Sequence, residues 1–120
     1  MGAARAKGTM AETAVVELLR VAGFPLAERA ALSGRDDRGD INGTPGLAWE
    51  VRNRRTVNLP SWLVDAQSRA VVTGADYGLL VVKPQGVGIT RVENWAAVLP
   101  LADMLKLLRE AGYGNPVNVP

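Results

Sequence analysis

Residues 39–55 read GDINGTPGLAWEVRNRR, an acidic turn followed by a strand with an unusual polar face. Successive side chains of a β-strand point to opposite faces of its sheet. One face of this strand is therefore apolar and is expected against a core, and the other carries charge. The apolar face consists of Leu47, Trp49 and Val51, and the charged face of Ala48, Glu50, Arg52 and Arg54.

A second carboxylate, Asp40, precedes this strand. The Asn42-Gly43 and Pro45-Gly46 dipeptides between Asp40 and Glu50 are typical of tight turns. Asp40 is therefore expected on an adjacent antiparallel strand, beside Glu50. Neighbouring carboxylates raise each other's pKa, and a hard divalent ion such as Mg²⁺ relieves their repulsion. Spacing alone leaves open whether the pair is a metal site or part of an exposed strand face with surface ions.

The composition excludes several classes of protein. The chain has 120 residues, 48% of them hydrophobic, which predicts one globular domain over 1–112 and a flexible C-terminal tail at 113–120. It contains neither cysteine nor histidine, so disulfide frameworks, thiolate zinc sites and imidazole bases are excluded. No run reaches the roughly 18 apolar residues of a membrane span, and Met1 to Lys7 lacks the apolar region of a signal peptide. We expect a cytoplasmic protein.

Hydrophobic periodicity predicts the order helix, three strands, helix, two strands, helix, an α/β fold with a mixed β-sheet flanked by helices. The continuous apolar run YGLLVVK at 77–83 indicates a central strand buried on both faces. The predicted helices cover 10–21, 60–73 and a segment that starts at Leu101, and the other strands cover 26–33, 40–41, 47 to about 54, and 93–99.

Two polar residues on the predicted helices each admit two interpretations. Glu12 can close a capping box with Thr9 at the start of the first helix, or it can border the buried stripe and reach the sheet. Gln67 lies on the inner side of the second helix and needs hydrogen-bond partners there, or it lies at the rim with its amide in water. The predicted inner stripe of the second helix is Leu59, Leu63, Ala66, Ala70 and Val71.

These residues together resemble the signature of the PD-(D/E)XK nuclease superfamily. That signature has a helix-borne acid, an Asp, and then Glu-x-Lys on a central strand, and Glu12, Asp40, Glu50 and Arg52 occupy the four positions. The chain is most similar to small Holliday junction resolvases of archaea and of actinobacterial phages and prophages. In those proteins a GDI-x-G-x-PG turn, an EVKN-like strand and a helix bearing a Gln recur in this order. The resemblance covers roughly residues 6–112, and Arg52 departs from it by replacing the family's Lys.

The resemblance implies a restriction-endonuclease-like core and a metal-dependent endonuclease that cleaves branched DNA, above all Holliday junctions. Asp40 and Glu50 would hold Mg²⁺, or Mn²⁺, and Glu12 would bind it directly or through water. Arg52 would neutralise the phosphate under attack, and Gln67 would place the water.

Basic residues provide candidate DNA contacts. The net charge is only +2, but arginine suits phosphate and local patches matter more than the total charge. The resemblance assigns DNA contact to the polar loop at 34–39 and to the preceding Ser, although a solvated loop is an equally simple interpretation. The candidates are Arg5, Lys7, Ser33, Arg35, Arg38, Arg54 and Arg55.

A resolvase cuts two strands across a two-fold centre, so we expect a symmetric homodimer. Trp62, Trp95 and Leu99 are candidate interface residues. Two alternatives stay open because a fold does not decide a function. One is a DNA-binding protein that lost turnover with the change from Lys to Arg52, and the other is a nuclease of the same superfamily that acts on nicked or flapped DNA.

Overall fold

The computed structural model describes residues 3–30 and 40–115, and side chains from Ala6 onward. Within these ranges the chain forms three α-helices, one 3-10 helix and five strands. In chain order they are α1 (Ala3–Val21), β1 (Glu28–Arg29), β2 (Ile41–Asn42), β3 (Leu47–Arg52), α2 (Leu59–Thr73), β4 (Tyr77–Val82), the 3-10 helix (Ile89–Asn94), β5 (Ala96–Val98) and α3 (Leu101–Glu110).

The predicted α/β architecture with a mixed sheet is confirmed. β4 lies in the centre of a three-stranded sheet, parallel to β3 and antiparallel to β5. β3, α2 and β4 form a crossover unit, the connection that parallel neighbours require. β1 and β2 form a separate antiparallel pair, which a backbone hydrogen bond from Asp40 N to Trp49 O joins to β3.

Helices cover both faces of the main sheet. α1 and the 3-10 helix pack on the face that carries Trp49, Val51 and Val81, together with Trp95. α2 packs on the other face through Trp62 and Ala66 against Leu80 and Val82. Trp62 and Trp95 are thus buried within the chain, and their proposed place at a dimer interface is wrong. The charged face of β3 is covered by a helix, so the interpretation as an exposed strand face is also wrong.

The side of α2 that meets the sheet was predicted incorrectly. Gly78 lies so close to the helix that a Cβ atom there would be 2.2 Å from the carbonyl oxygen of Ala66. Only small residues tolerate such an approach, so Ala66 and Ala70 define the contact and Trp62 continues it one turn earlier. Val71, predicted to face inward, is 82% exposed. The predicted ends of α2 are confirmed, with Asn58 as the N-cap and Gly74 as a left-handed C-cap.

Two other local predictions fail. α1 begins at Ala3, so Thr9 lies inside the helix and the capping box with Glu12 does not form. Alanine is the strongest helix former, and the Ala-rich start extends α1 through Gly8.

Part of the segment predicted as a strand at 93–99 is the 3-10 helix. There Ile89 and Val92 pack on the core side, and the segment is kinked between them at Arg91, whose φ and ψ are not helical.

In the ranges 3–30 and 40–115, no helix combines the length and the apolar character needed to span a bilayer.

Candidate functional site

The candidate site lies at the carboxyl end of β3, where Asp40 attaches to the edge of the strand. Asp40 N donates to Trp49 O at 2.9 Å, and Val51 N donates to Asp40 Oδ2 at 2.7 Å. The carboxylate thus replaces a backbone acceptor on this edge of β3. These two hydrogen bonds fix Asp40 level with the residues on either side of Glu50.

A single guanidinium joins the two carboxylates. Arg52 Nη1 lies 2.8 Å from Glu50 Oε2 and 3.8 Å from Asp40 Oδ2. The other terminal nitrogen, Nη2, donates to Asp65 Oδ2 at 3.1 Å. The structure therefore brings Asp40, Glu50 and Arg52 together, as the turn between them suggested, and adds Asp65 from α2.

Glu50 is a buried charge with two cationic partners. It is 2% exposed and points with Leu80 toward α2. Arg69 Nε donates to Oε1 at 2.7 Å, while Arg52 bonds Oε2. An unpaired carboxylate in such a place would be strongly unfavourable, and the two arginines give each oxygen of Glu50 a hydrogen-bond partner of opposite charge.

Asp40 is strained electrostatically. The pKa of Asp40 is raised from 3.8 to about 6. Burial is the largest cause and the charges of Glu50 and Glu12 add to it, while the hydrogen bond from the Val51 amide and the charge of Arg52 offset these increases only in part. Burial would lower the pKa of Arg52, but the charges of Glu50 and Asp40 and the hydrogen bonds to Glu50 and Asp65 raise it above its ordinary value. Arg52 is therefore a permanent cation beside Asp40, a carboxyl group whose ionisation is disfavoured.

Glu12 borders this cluster from α1. Its Oε1 accepts a hydrogen bond from Arg29 Nε at 3.0 Å, which ties the middle of α1 to β1. Its charge is close enough to raise the pKa of Asp40. Glu12 therefore belongs to the electrostatic environment of the site, on the side away from α2.

The donor atoms of the site are carboxylate oxygens, which suit Mg²⁺ or Mn²⁺. The mutual repulsion at Asp40 is the kind that such an ion relieves. Among the described residues, however, no three acidic side chains converge as a ready metal cage. Both oxygens of Glu50 accept a hydrogen bond from a guanidinium group, so an ion at Glu50 would compete with Arg52 and Arg69 for the charge of this carboxylate.

Gln67 faces the sheet, and its Nε2 donates to Gly78 O at 2.7 Å. This hydrogen bond supports the close contact between α2 and β4, so the observed role of Gln67 is structural. The α2 residues that bond the site are instead Asp65 and Arg69, which sequence reasoning did not identify. They lie one helical turn apart and flank Ala66 and Ala70, so the correct inner stripe of α2 would have pointed to them.

Exposed basic residues lie near the same end of β3. Arg54 and Arg55 follow β3 in an exposed connection to α2. Asn53 Nδ2 donates to the carbonyl oxygen of Lys7 at 3.4 Å, which draws the start of α1 to this connection. The side chain of Arg5, and the residues Ser33, Arg35 and Arg38, lie outside the described part of the chain.

No family model matches this chain, and no curated protein or solved structure is significantly similar to it.

Proposed function

We propose that the chain is a metal-dependent DNA endonuclease with a restriction-endonuclease-like core, and that its substrate is branched DNA, above all a four-way junction. The observation that carries the proposal is the convergence of Asp40, Glu50 and Arg52 at the end of β3. Burial and carboxylate repulsion hold the pKa of Asp40 near 6 there. Groups held in such unfavourable surroundings are concentrated at functional sites.

Asp40, Glu50 and Glu12 are the residues that would hold Mg²⁺. When bound, the ion would supply a nucleophilic hydroxide and stabilise the leaving oxygen. Arg69 supports this role because it bonds Glu50 through Oε1, so the carboxylate would keep one cationic partner if an ion displaced Arg52 from Oε2.

Arg52 would bind the phosphate under attack. Arginine does not deprotonate in proteins, so Arg52 cannot act as a general base, but its charge can stabilise negative charge that develops on the phosphate. Asp65 and Glu50 hold the guanidinium from two directions, which fixes its position beside Asp40. An Arg in place of the Lys of the nuclease signature would thus still stabilise charge on the phosphate.

The DNA backbone would lie along Lys7, Arg54 and Arg55, which the contact between Asn53 and Lys7 gathers beside the site. The preference for junctions and the symmetric homodimer rest on the resemblance to resolvases and on the need to cut two strands across a two-fold centre.

The test is incubation with a synthetic four-way junction and a linear duplex of matched sequence, each with and without Mg²⁺. We expect the wild type to cleave the junction only with the ion, and Asp40→Asn to be inactive.

Arg52→Ala should lose about 100-fold to 1000-fold in turnover, which corresponds to the roughly 2.7–4 kcal/mol of one such donor. Arg52→Lys should retain or raise turnover. If Arg52→Ala cleaved at the wild-type rate, Arg52 would have no role in the reaction. If the wild type cleaved neither DNA, the proposed endonuclease activity would be refuted.

One observation favours a second candidate, a junction-binding protein without turnover. Glu50 is bonded at both oxygens by guanidinium groups, so a tightly held Arg52 would keep the metal out. In that case the wild type would bind the junction and be inert with Mg²⁺ and Mn²⁺, whereas Arg52→Lys would cleave.

A further inference from the structure

The carboxyl ends of β3 and β4 meet at one edge of the sheet, because the two strands are parallel. Their pairing continues one step past β4, where Lys83 N donates to Arg52 O at 3.0 Å. Lys83 is therefore level with Asn53, on a neighbouring strand about 4.8 Å away. Ligands of open α/β sheets bind outside the carboxyl ends of the strands. The proposed DNA surface uses the residues that follow β3 and leaves Lys83 without a role.

Lys83 lies on the opposite face of the sheet from Arg52. Val82 packs on the face that α2 covers, and successive side chains of a strand alternate, so Lys83 points to the face that α1 covers. Asn53 follows Arg52 onto the same face, where its side chain donates to the carbonyl oxygen of Lys7. Lys7 and Lys83 are thus both neighbours of Asn53 on the α1 face, while Arg52 bonds to α2.

The cations along this edge are not neutralised by the protein. Within residues 3–30 and 40–115, four of them take part in no ion pair: Lys7, Arg54, Arg55 and Lys83. The connections that leave the two strands, residues 53–58 and 83–88, contain no acidic residue. Lys83 is also half-buried, and a charge with reduced access to water gains more from an anionic partner than an exposed charge does.

We propose that Lys83 binds a phosphate of the DNA, and that the DNA backbone crosses the edge of the sheet from the end of β3 to the end of β4. The inference rests on the proposed function because DNA is the ligand, but it requires neither cleavage nor a metal ion. A DNA strand carries one charge per about 3.4 Å of helix axis, so cations on adjacent strands about 4.8 Å apart can contact neighbouring phosphates. Arg52 would bind the phosphate under attack on the α2 side, and Lys83 would hold the backbone beside it on the α1 side.

Lysine acetylation with and without DNA tests this contact on the natural protein. The chain contains only three lysines, Lys7, Lys83 and Lys106, so mass spectrometry can follow each rate separately. Lys106 is the internal control because it lies over the ring of Tyr77, at the opposite end of β4. With a four-way junction at low salt and without Mg²⁺, we expect Lys83 and Lys7 to lose reactivity and Lys106 to keep it. An unchanged rate at Lys83 on a protein that binds the junction would overturn the proposal.

Variants that remove one positive charge measure the contribution of Lys83 to binding. We expect Lys83→Gln to reduce the slope of log affinity against log salt concentration by about 0.9, as measured by fluorescence anisotropy with a labelled junction. Affinity would then change about eight-fold less for each tenfold change in salt. Lys83→Arg should keep the wild-type slope. Lys106→Gln, which changes the net charge by the same amount, should also keep it.

The outcomes distinguish this inference from the proposed function. If the wild type binds the junction and Lys83→Gln has the same slope as Lys106→Gln, Lys83 contacts no phosphate and the inference is refuted, while the endonuclease stays possible. If the slopes differ as expected but the wild type cleaves no DNA, the endonuclease is refuted and the contact stands. A wild type that binds no DNA would refute both.

Discussion

At the scale of single residues, Asp40 shows a conflict between stability and the proposed chemistry. Its pKa is raised from 3.8 to about 6, so between these pH values the folded protein binds more protons than the unfolded chain. Stability must then fall as pH rises through this window, by up to about 3 kcal/mol at 1.36 kcal/mol per pKa unit. Below pH 3.8, where both states are protonated, the effect is absent.

Asp40→Asn removes this titration and keeps an oxygen that can accept from Val51 N. We expect the variant to be up to about 3 kcal/mol more stable than the wild type above pH 7, with little difference near pH 4, as measured by urea unfolding at both pH values. Glu17→Gln, which neutralises an exposed carboxylate of α1, should change stability by less than about 0.5 kcal/mol at either pH. A wild type that is more stable than Asp40→Asn at high pH would contradict the raised pKa.

At the scale of elements, the close approach of α2 to β4 at Gly78 positions half of the site. A Cβ atom at Gly78 would lie 2.2 Å from Ala66 O and 3.1 Å from Ala70 Cβ, so Gly78→Ala must push α2 outward. Asp65 and Arg69 would move with the helix, away from Arg52 and Glu50. We expect a loss of about 1–3 kcal/mol in urea unfolding, as in overpacked cores, together with lower turnover.

Gly8→Ala is the matched control for that substitution. A Cβ atom at Gly8 has no neighbour within 4 Å, and an alanine inside α1 should stabilise the protein by about 1 kcal/mol. If Gly78→Ala were as stable as the wild type, the helix would not be held against the strand as described.

At the scale of the whole molecule, the basic residues around the end of β3 predict how DNA binding depends on salt. Each phosphate contact releases counterions and adds about 0.9 to the slope of log affinity against log salt concentration. Replacing Arg54 and Arg55 together by Ala should therefore reduce the slope by up to about 1.8, measured by fluorescence anisotropy with a labelled junction. Arg91→Ala, at an exposed arginine of the 3-10 helix, should leave the slope unchanged, and an unchanged slope for the double variant would remove Arg54 and Arg55 from the DNA interface.

The sequence alone determined the features that depend on short-range order. The apolar run at Tyr77–Val82 predicted the central strand, because a strand covered on both faces carries no polar alternation. Asn58 and Gly74 marked the ends of α2 through local capping chemistry. The turn between Asp40 and Glu50 placed the two carboxylates together because few turns close so short a connection.

Only the tertiary structure decided which faces of the elements are covered, and by what. Periodicity shows that a helix has an apolar side, but the rotation of α2 follows from the Gly78 contact, and that rotation brings Asp65 and Arg69 to Arg52 and Glu50. The same holds for α3, in which Leu101, Leu105 and Leu108 share one side of the helix and are nevertheless exposed. The physical reason is that burial depends on contacts between distant parts of the chain, and hydrophobic spacing within one element does not specify its partner.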